Sequence, residues 1–150
     1  MYRLLGDNHV LDGLPFSAQV FLRALDGVRN RLADEAGVTG NELRALSRVA
    51  ESSGLESDAL ADFLEITPAA AHALIERLVS RGLASSTLAD REPPVVTVAL
   101  TPAGHELIGT TYENFQSIIN GAAESLDTDR RIAFESGMLK MARKLDAQAR

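Results

Sequence analysis

The sequence predicts a mainly α-helical domain that carries one small β-hairpin. Three observations predict it. Apolar residues recur at helical spacing along most of the chain. Between Gly82 and Leu100 the period switches from 3.6 to 2 around a polar, proline-containing tip. Just before that switch, two short helical stretches meet at a turn of a few residues around Ile66-Thr67-Pro68, the layout of a helix-turn-helix. A hairpin directly after a helix-turn-helix is a wing. The fold class is therefore a winged helix-turn-helix set between N- and C-terminal helices.

Each element follows from local chemistry. About fifteen irregular residues, ending at Pro15, open the chain. Phe21, Leu25, Val28 and Leu32 then mark one face of a helix, which Gly37 stops as a left-handed cap. A second helix starts after Thr39, carries Leu43, Leu46 and Ala50 on one face, and ends at Gly54. Ser57 reads as the N-cap of a third helix, with Asp58 in its first turn and Leu60, Ala61 and Leu64 turned inward. Thr67 caps a fourth. Pro68 suits its first position, because that N–H has no intrahelical partner anyway. This helix runs to about Arg81, buries Ala71, Leu74, Ile75 and Leu78, and is closed by Gly82. The hairpin follows, with Ala89 to Pro94 as its turn and Val95 to Leu100 as a β-branched strand. Thr101-Pro102 repeats the cap signature and opens a long helix bearing Leu107, Ile108, Phe115, Ile118, Ile119 and Ala122. Asp127 or Thr128 caps the last helix, whose stripe is Ile132, Leu139, Ala142 and Leu145, with Met138 and Met141 beside it.

Composition removes several function classes. The 150 residues fit one ordinary domain. Aromatics make up only 5% and Trp is absent, so the core must be built from Leu, Ala, Val and Ile. No Cys is present, which excludes disulfides, thiolate metal sites and cysteine catalysis. No apolar run has the length of a membrane span, and MYRLLGDNHV has neither a signal-peptide core nor a cleavage site. The expected address is the cytoplasm. Three scattered histidines do not make a metal site, and no cofactor is expected. His9 and His105 read as structural or surface residues. His105-Glu106-Leu107-Ile108-Gly109 begins like the zinc-protease helix but ends in glycine. No nucleophile elbow, dinucleotide loop or phosphate loop appears, so the chain is expected not to be an enzyme.

The element order, together with RLVSRGL (77–83), the Asp90-Arg91 pair and LTPAG (100–104), resembles the MarR family of winged-helix transcriptional regulators. The resemblance implies a homodimer with dimerisation helices in 1–38 and 102–150 and a winged helix-turn-helix in 39–101. It implies a double-stranded, pseudo-palindromic DNA operator as partner. It also implies a regulator, in the first instance a repressor, that a small aromatic effector can release from DNA. The effector's lining residues are not selected by the sequence.

A recognition helix offers its N-terminal residues to base edges in the major groove. Once the core positions are removed, Ala69, Ala70, His72, Ala73, Glu76 and Arg77 are left as candidates; the contacts expected are Thr67, Ala69, Ala70, His72, Ala73 and Arg77, with Arg91 the candidate for the minor groove. His72 either reads a base or is an ordinary exposed helix residue. Arg77 and Arg81, further along, suit packing, a salt bridge or a phosphate. Family members usually carry Ser, Thr, Gln or Arg at the outward positions, where this chain has alanines. Their wing usually reads Asp-x-Arg, where this chain has Asp90-Arg91-Glu92. Asp90 is expected to steady the wing by pairing with an arginine. From Thr39 to Thr101 five arginines face nine acids, a net charge of −4 against the chain's −6. Few cations mean little counterion release and weak non-specific DNA binding. That balance keeps a second reading open: a winged-helix module for protein or ligand binding, with weak or no DNA affinity.

Overall fold

The computed structural model describes residues 4–6 and 9–149. The order is β1 (Leu4–Gly6), β2 (His9–Leu11), α1 (Gly13–Ala36), α2 (Gly40–Ala50), β3 (Leu55–Glu56), α3 (Ser57–Leu64), α4 (Pro68–Ser80), β4 (Ala84–Ala89), β5 (Val95–Leu100), α5 (Pro102–Ala122) and α6 (Thr128–Gln148). The six helices and the wing hairpin stand where the periodicity put them. The chain divides into two compact units, one up to Tyr112 and one from Glu113 onward.

In the first unit, α2, α3 and α4 form a trihelical cluster over a three-stranded antiparallel sheet of order β3-β5-β4. The core is aliphatic, as the shortage of aromatics requires. Leu46, Leu60, Leu78, Val49 and Val98 are its largest fully enclosed side chains. Each contributes about 1.5–3 kcal/mol through burial. The four positions assigned to the buried side of α4, Ala71, Leu74, Ile75 and Leu78, are all enclosed. Along α1 burial is graded. Leu32 is buried, Leu25 and Val28 are half-buried, and Phe21 is exposed in the single chain.

Four boundaries differ from expectation. The opening residues are not wholly irregular. Leu4 to Gly6 pair with His9 to Leu11, and α1 begins at Gly13, with Pro15 inside its first turn. A proline is tolerated there because first-turn N–H groups lack intrahelical partners. The His9 side chain lies outside the described residues. Helix α2 ends at Ala50 rather than Gly54. Gly54 instead leads into β3, where a Cβ would come within 3.0 Å of the Thr97 methyl. Ser57 is the first helical residue of α3 and not its cap. Glu56 holds that position in an extended conformation, fixed by its pairing with Thr97 on β5. Strand β3 is two residues long and leaves no period in the sequence to read.

In the second unit, Asp127 caps α6 by accepting from the Arg130 N–H at 2.9 Å. Arg131 donates back to the Ala123 carbonyl at 3.0 Å and fixes the turn between α5 and α6. Within the described chain α6 buries no residue, although Ile132, Met138, Leu139, Met141 and Leu145 are all large and apolar.

Candidate nucleic-acid interface

Helix α4 owes its placement to a tight turn. Glu65 and Ile66 close α3 in a Schellman arrangement. Ile66 N–H donates to the Ala61 carbonyl at 3.1 Å, and Glu65 N–H donates to Asp62 at 3.2 Å. The same pattern closes α1 at Gly37 and α4 at Gly82. At the turn of the helix-turn-helix, however, the left-handed position (φ 56°) is occupied by Glu65, a residue with a side chain. The next residue but one is Thr67, whose hydroxyl accepts from the Ala70 N–H at 3.2 Å, with Pro68 following at the first helical position.

The first two turns of α4 thereby present Ala69, Ala70, His72 and Ala73 on an exposed face opposite the buried one. Thr67 is exposed beside them, with its hydroxyl already accepting as the cap. Arg77 is engaged within the chain. Its Nε donates to Glu42 Oε1 at 3.2 Å, and Arg81 Nη1 lies 3.4 Å from Glu42 Oε2. Arg81 also donates through Nη2 to the Gly37 carbonyl at 2.7 Å. The salt-bridge role that the sequence allowed for both arginines is the one they occupy.

Glu42 is the centre of this cluster and was not among the sequence candidates. Its carboxylate is buried, receives the Thr39 N–H at 2.9 Å, and completes a reciprocal capping box with the Thr39 hydroxyl. Burial pushes its pKa up. The Thr39 N–H, the Arg77 hydrogen bond and the two guanidinium charges outweigh that, and the carboxyl ends below its ordinary value. The spacing Thr39-x-x-Glu42 signals the box in the sequence. Nothing in the sequence signals that the same carboxylate clasps the far end of α4.

At the wing, β4 and β5 pair from Ala84↔Leu100 to Ala89↔Val95, with residues 90–94 as the tip. Arg91 does project from that tip, half exposed, but its guanidinium is held by Glu56 at 2.5 Å. Asp90, expected to pair with an arginine, makes no ion pair among the described residues. Glu56, on the neighbouring strand, takes that role. A further surface group has no signature in the sequence: Arg44 and Arg48 of α2 both lie over the ring of Phe63 of α3, each 5.5 Å from its centroid.

By sequence the chain matches no protein-family model and no curated protein. By structure it is similar to a MarR family protein from Bacillus stearothermophilus, with a TM-score of 0.80 at 19% identity over 89% of this chain and 93% of that one. It is also similar to apo wild-type MarR from E. coli, with a TM-score of 0.74 at 16% identity over 87% and 97% of the two chains. A third likeness is to MepR, described as a transcription regulator of the Staphylococcus aureus multidrug efflux pump MepA, with a TM-score of 0.74 at 15% identity over 89% and 99%. The chain has the MarR-family fold.

The MarR-like motifs have a physical reason in this structure. RLVSRGL ends α4, and LTPAG starts α5 directly against it. The Thr101 hydroxyl donates to the Gly82 carbonyl at 2.6 Å and accepts from the Gly104 N–H at 3.1 Å. Thr101 N–H donates to the Leu83 carbonyl at 3.2 Å. A Cβ on Gly104 would fall 2.1 Å from that same carbonyl oxygen, so only glycine lets α5 approach the base of the wing. The motifs of the MarR fold are thus the joint between α4, the wing and α5. The exposed face of α4, Ala69, Ala70, His72 and Ala73, lies outside these motifs. Among the described residues no group of three His, Cys, Asp or Glu is placed to hold a metal, and no helix is long and apolar enough to cross a membrane.

Proposed function

We propose that this chain is a homodimeric transcriptional regulator that binds a pseudo-palindromic DNA operator. The observation that carries the reading is the exposed face of Ala69, Ala70, His72 and Ala73 on the first turns of α4, in the same module as a wing tipped by Arg91. That face enters the major groove. Alanines contact thymine methyl groups, and His72 is the hydrogen-bonding reader. Thr67, at the cap, meets the backbone together with the helix N-terminus. Arg91 enters the minor groove, whose A·T-rich stretches attract a guanidinium. Arg77 acts through Glu42 and serves to hold the recognition helix at its far end.

The dimer is supported by apolar surface left open in the single chain, including Leu14, Val20 and Leu22 of α1 and Ile132, Leu139 and Leu145 of α6. Two-fold operators call for such a dimer. The regulator acts as a repressor, in the cytoplasm, and a small aromatic effector releases it by changing the spacing of the two recognition helices. Fluorescence anisotropy of the purified protein on its own upstream DNA, against a scrambled competitor at two salt concentrations, tests the reading. Selective binding that weakens with salt, on the shallow slope that few free cations give, supports it.

One observation favours a second reading, a module for protein or ligand binding. Both arginines named for DNA are paired to carboxylates of their own chain, in a module of net charge −4. Absence of selectivity at low salt on any promoter region tested favours that alternative.

A further inference from the structure

Among the described residues most ion pairs join neighbours on one helix: Arg29–Asp26, Arg31–Glu35, Arg48–Glu51 and Arg130–Asp127. Two sets join distant segments. One is the Glu42 cluster that fastens α4. The other is Arg91–Glu56, which ties the wing tip to the junction of β3 and α3 across 35 residues of sequence. The two distant sets differ in one respect. Glu42 is buried and completes a capping box, so its carboxylate serves the fold. Glu56 is half exposed and occupies the N-cap position of α3, yet its side chain makes no capping hydrogen bond. Among the described residues its carboxylate pairs with Arg91 alone. Arg91 is in turn the sole cation of the tip, flanked by Asp90 and Glu92.

We propose that Glu56 is an intramolecular competitor for Arg91, so that the wing reaches DNA only by exchanging this carboxylate for the groove. The inference rests on the DNA-binding reading of the wing. An exposed ion pair is worth little to stability but is subtracted in full from binding when DNA breaks it. The freed carboxylate is also left facing phosphates. The latch therefore raises the discrimination threshold. A-tracts, whose narrow minor groove gives the strongest negative potential, compensate the exchange, and ordinary sequence does not.

The test is a double-mutant cycle on the full-length protein: wild type, E56Q, R91A and E56Q/R91A, bound by anisotropy to the upstream DNA and to scrambled DNA. E92Q serves as a control for removing an acid at the same tip that makes no ion pair among the described residues. Thermal unfolding of every variant confirms folding, and E56Q is expected to unfold within about 2 °C of wild type because an exposed pair contributes little. The expected result is that E56Q binds roughly two- to fivefold more tightly, the range set by the energy of an exposed pair. That gain disappears in the R91A background, whereas the smaller gain from E92Q persists there. A gain from E56Q that survives R91A overturns the latch and leaves the DNA-binding reading intact, because it would report only the loss of a negative charge. Unchanged affinity in E56Q, with selective binding retained, overturns the latch as well. If none of the proteins distinguishes upstream from scrambled DNA, the DNA-binding reading fails and the latch falls with it.

Discussion

Glu42→Gln isolates one buried charge. In the native chain this carboxylate satisfies the Thr39 N–H and two guanidinium groups, with its own side chain 5% exposed. The amide keeps the shape and one acceptor oxygen, enough for Thr39. Its NH2 group then faces an arginine donor where a lone pair was. Arg77 and Arg81 are 56% and 41% exposed, so water takes over much of what they lose, and each lost ion pair is discounted to about 0.5 kcal/mol. A buried, unpaired donor adds about 1 kcal/mol. The expected destabilisation is about 1–2 kcal/mol, or about 3–6 °C in Tm for a chain of this size. The pH dependence has a definite sign. Because the folded carboxyl titrates below its unfolded value of 4.5, its contribution is complete above that value and is lost as pH falls through the lower, folded one. Thermal unfolding by circular dichroism, at one protomer concentration, should show a gap between wild type and E42Q at pH 7 that narrows as acidification below the unfolded carboxyl value protonates the folded carboxylate. A gap that stays the same size throughout the acid titration, or no gap at pH 7, would refute the assignment of the charge to this cluster.

Other perturbations address the joint, the turn, the exposed face of α4 and the wing tip. Gly104→Ala places a methyl 2.1 Å from the Leu83 carbonyl oxygen, so α5 or the wing base must move; a loss of about 1–3 kcal/mol in urea unfolding is expected, and an unchanged midpoint contradicts the close approach. Glu65→Gly relieves a left-handed side chain worth about 1–2 kcal/mol but adds freedom to the unfolded chain; a net gain of up to about 1 kcal/mol is expected, and a lower Tm would count against strain at that turn. His72→Ala should reduce the ratio of upstream to scrambled DNA affinity more than it reduces affinity for scrambled DNA; equal losses on both would show that His72 reads no base. Arg91→Ala should weaken DNA binding while leaving the oligomeric state unchanged in analytical ultracentrifugation; full affinity in the variant removes the wing from the interface.

The electrostatics of the module follow one rule. Its arginines are placed against acids of the same chain before any partner arrives: Arg77 and Arg81 on Glu42, Arg91 on Glu56 and Arg48 on Glu51. Arg44 is stacked on Phe63. A surface of this kind has little free positive charge to spend on arbitrary phosphates. Any affinity for DNA must then come from shape and from the few groups on the exposed face of α4, so the salt dependence should be shallow.

The helices of this protein were legible because they are locally determined. Ala71, Leu74, Ile75 and Leu78 repeat at the helical period, Thr67-Pro68 and Thr101-Pro102 mark starts, and Gly37 and Gly82 mark stops. Strand β5 was legible for the same reason, since Val95 to Leu100 carry β-branched residues over a complete strand. Tertiary structure decided the rest. Strand β3 exists only because β5 offers it an edge. Glu65 adopts a left-handed backbone only because Ile66 and Thr67 must turn α3 into α4 within three residues. A carboxylate in a sequence can cap, solvate or clasp, and spacing alone chooses among these only when the partner is local. Thr39 is three residues from Glu42 and could be foreseen. Arg77 is 35 residues away, as Arg91 is from Glu56, and no period connects them. Which charges neutralise one another across such distances is set by packing, and here that packing fixes which side chains remain for a partner.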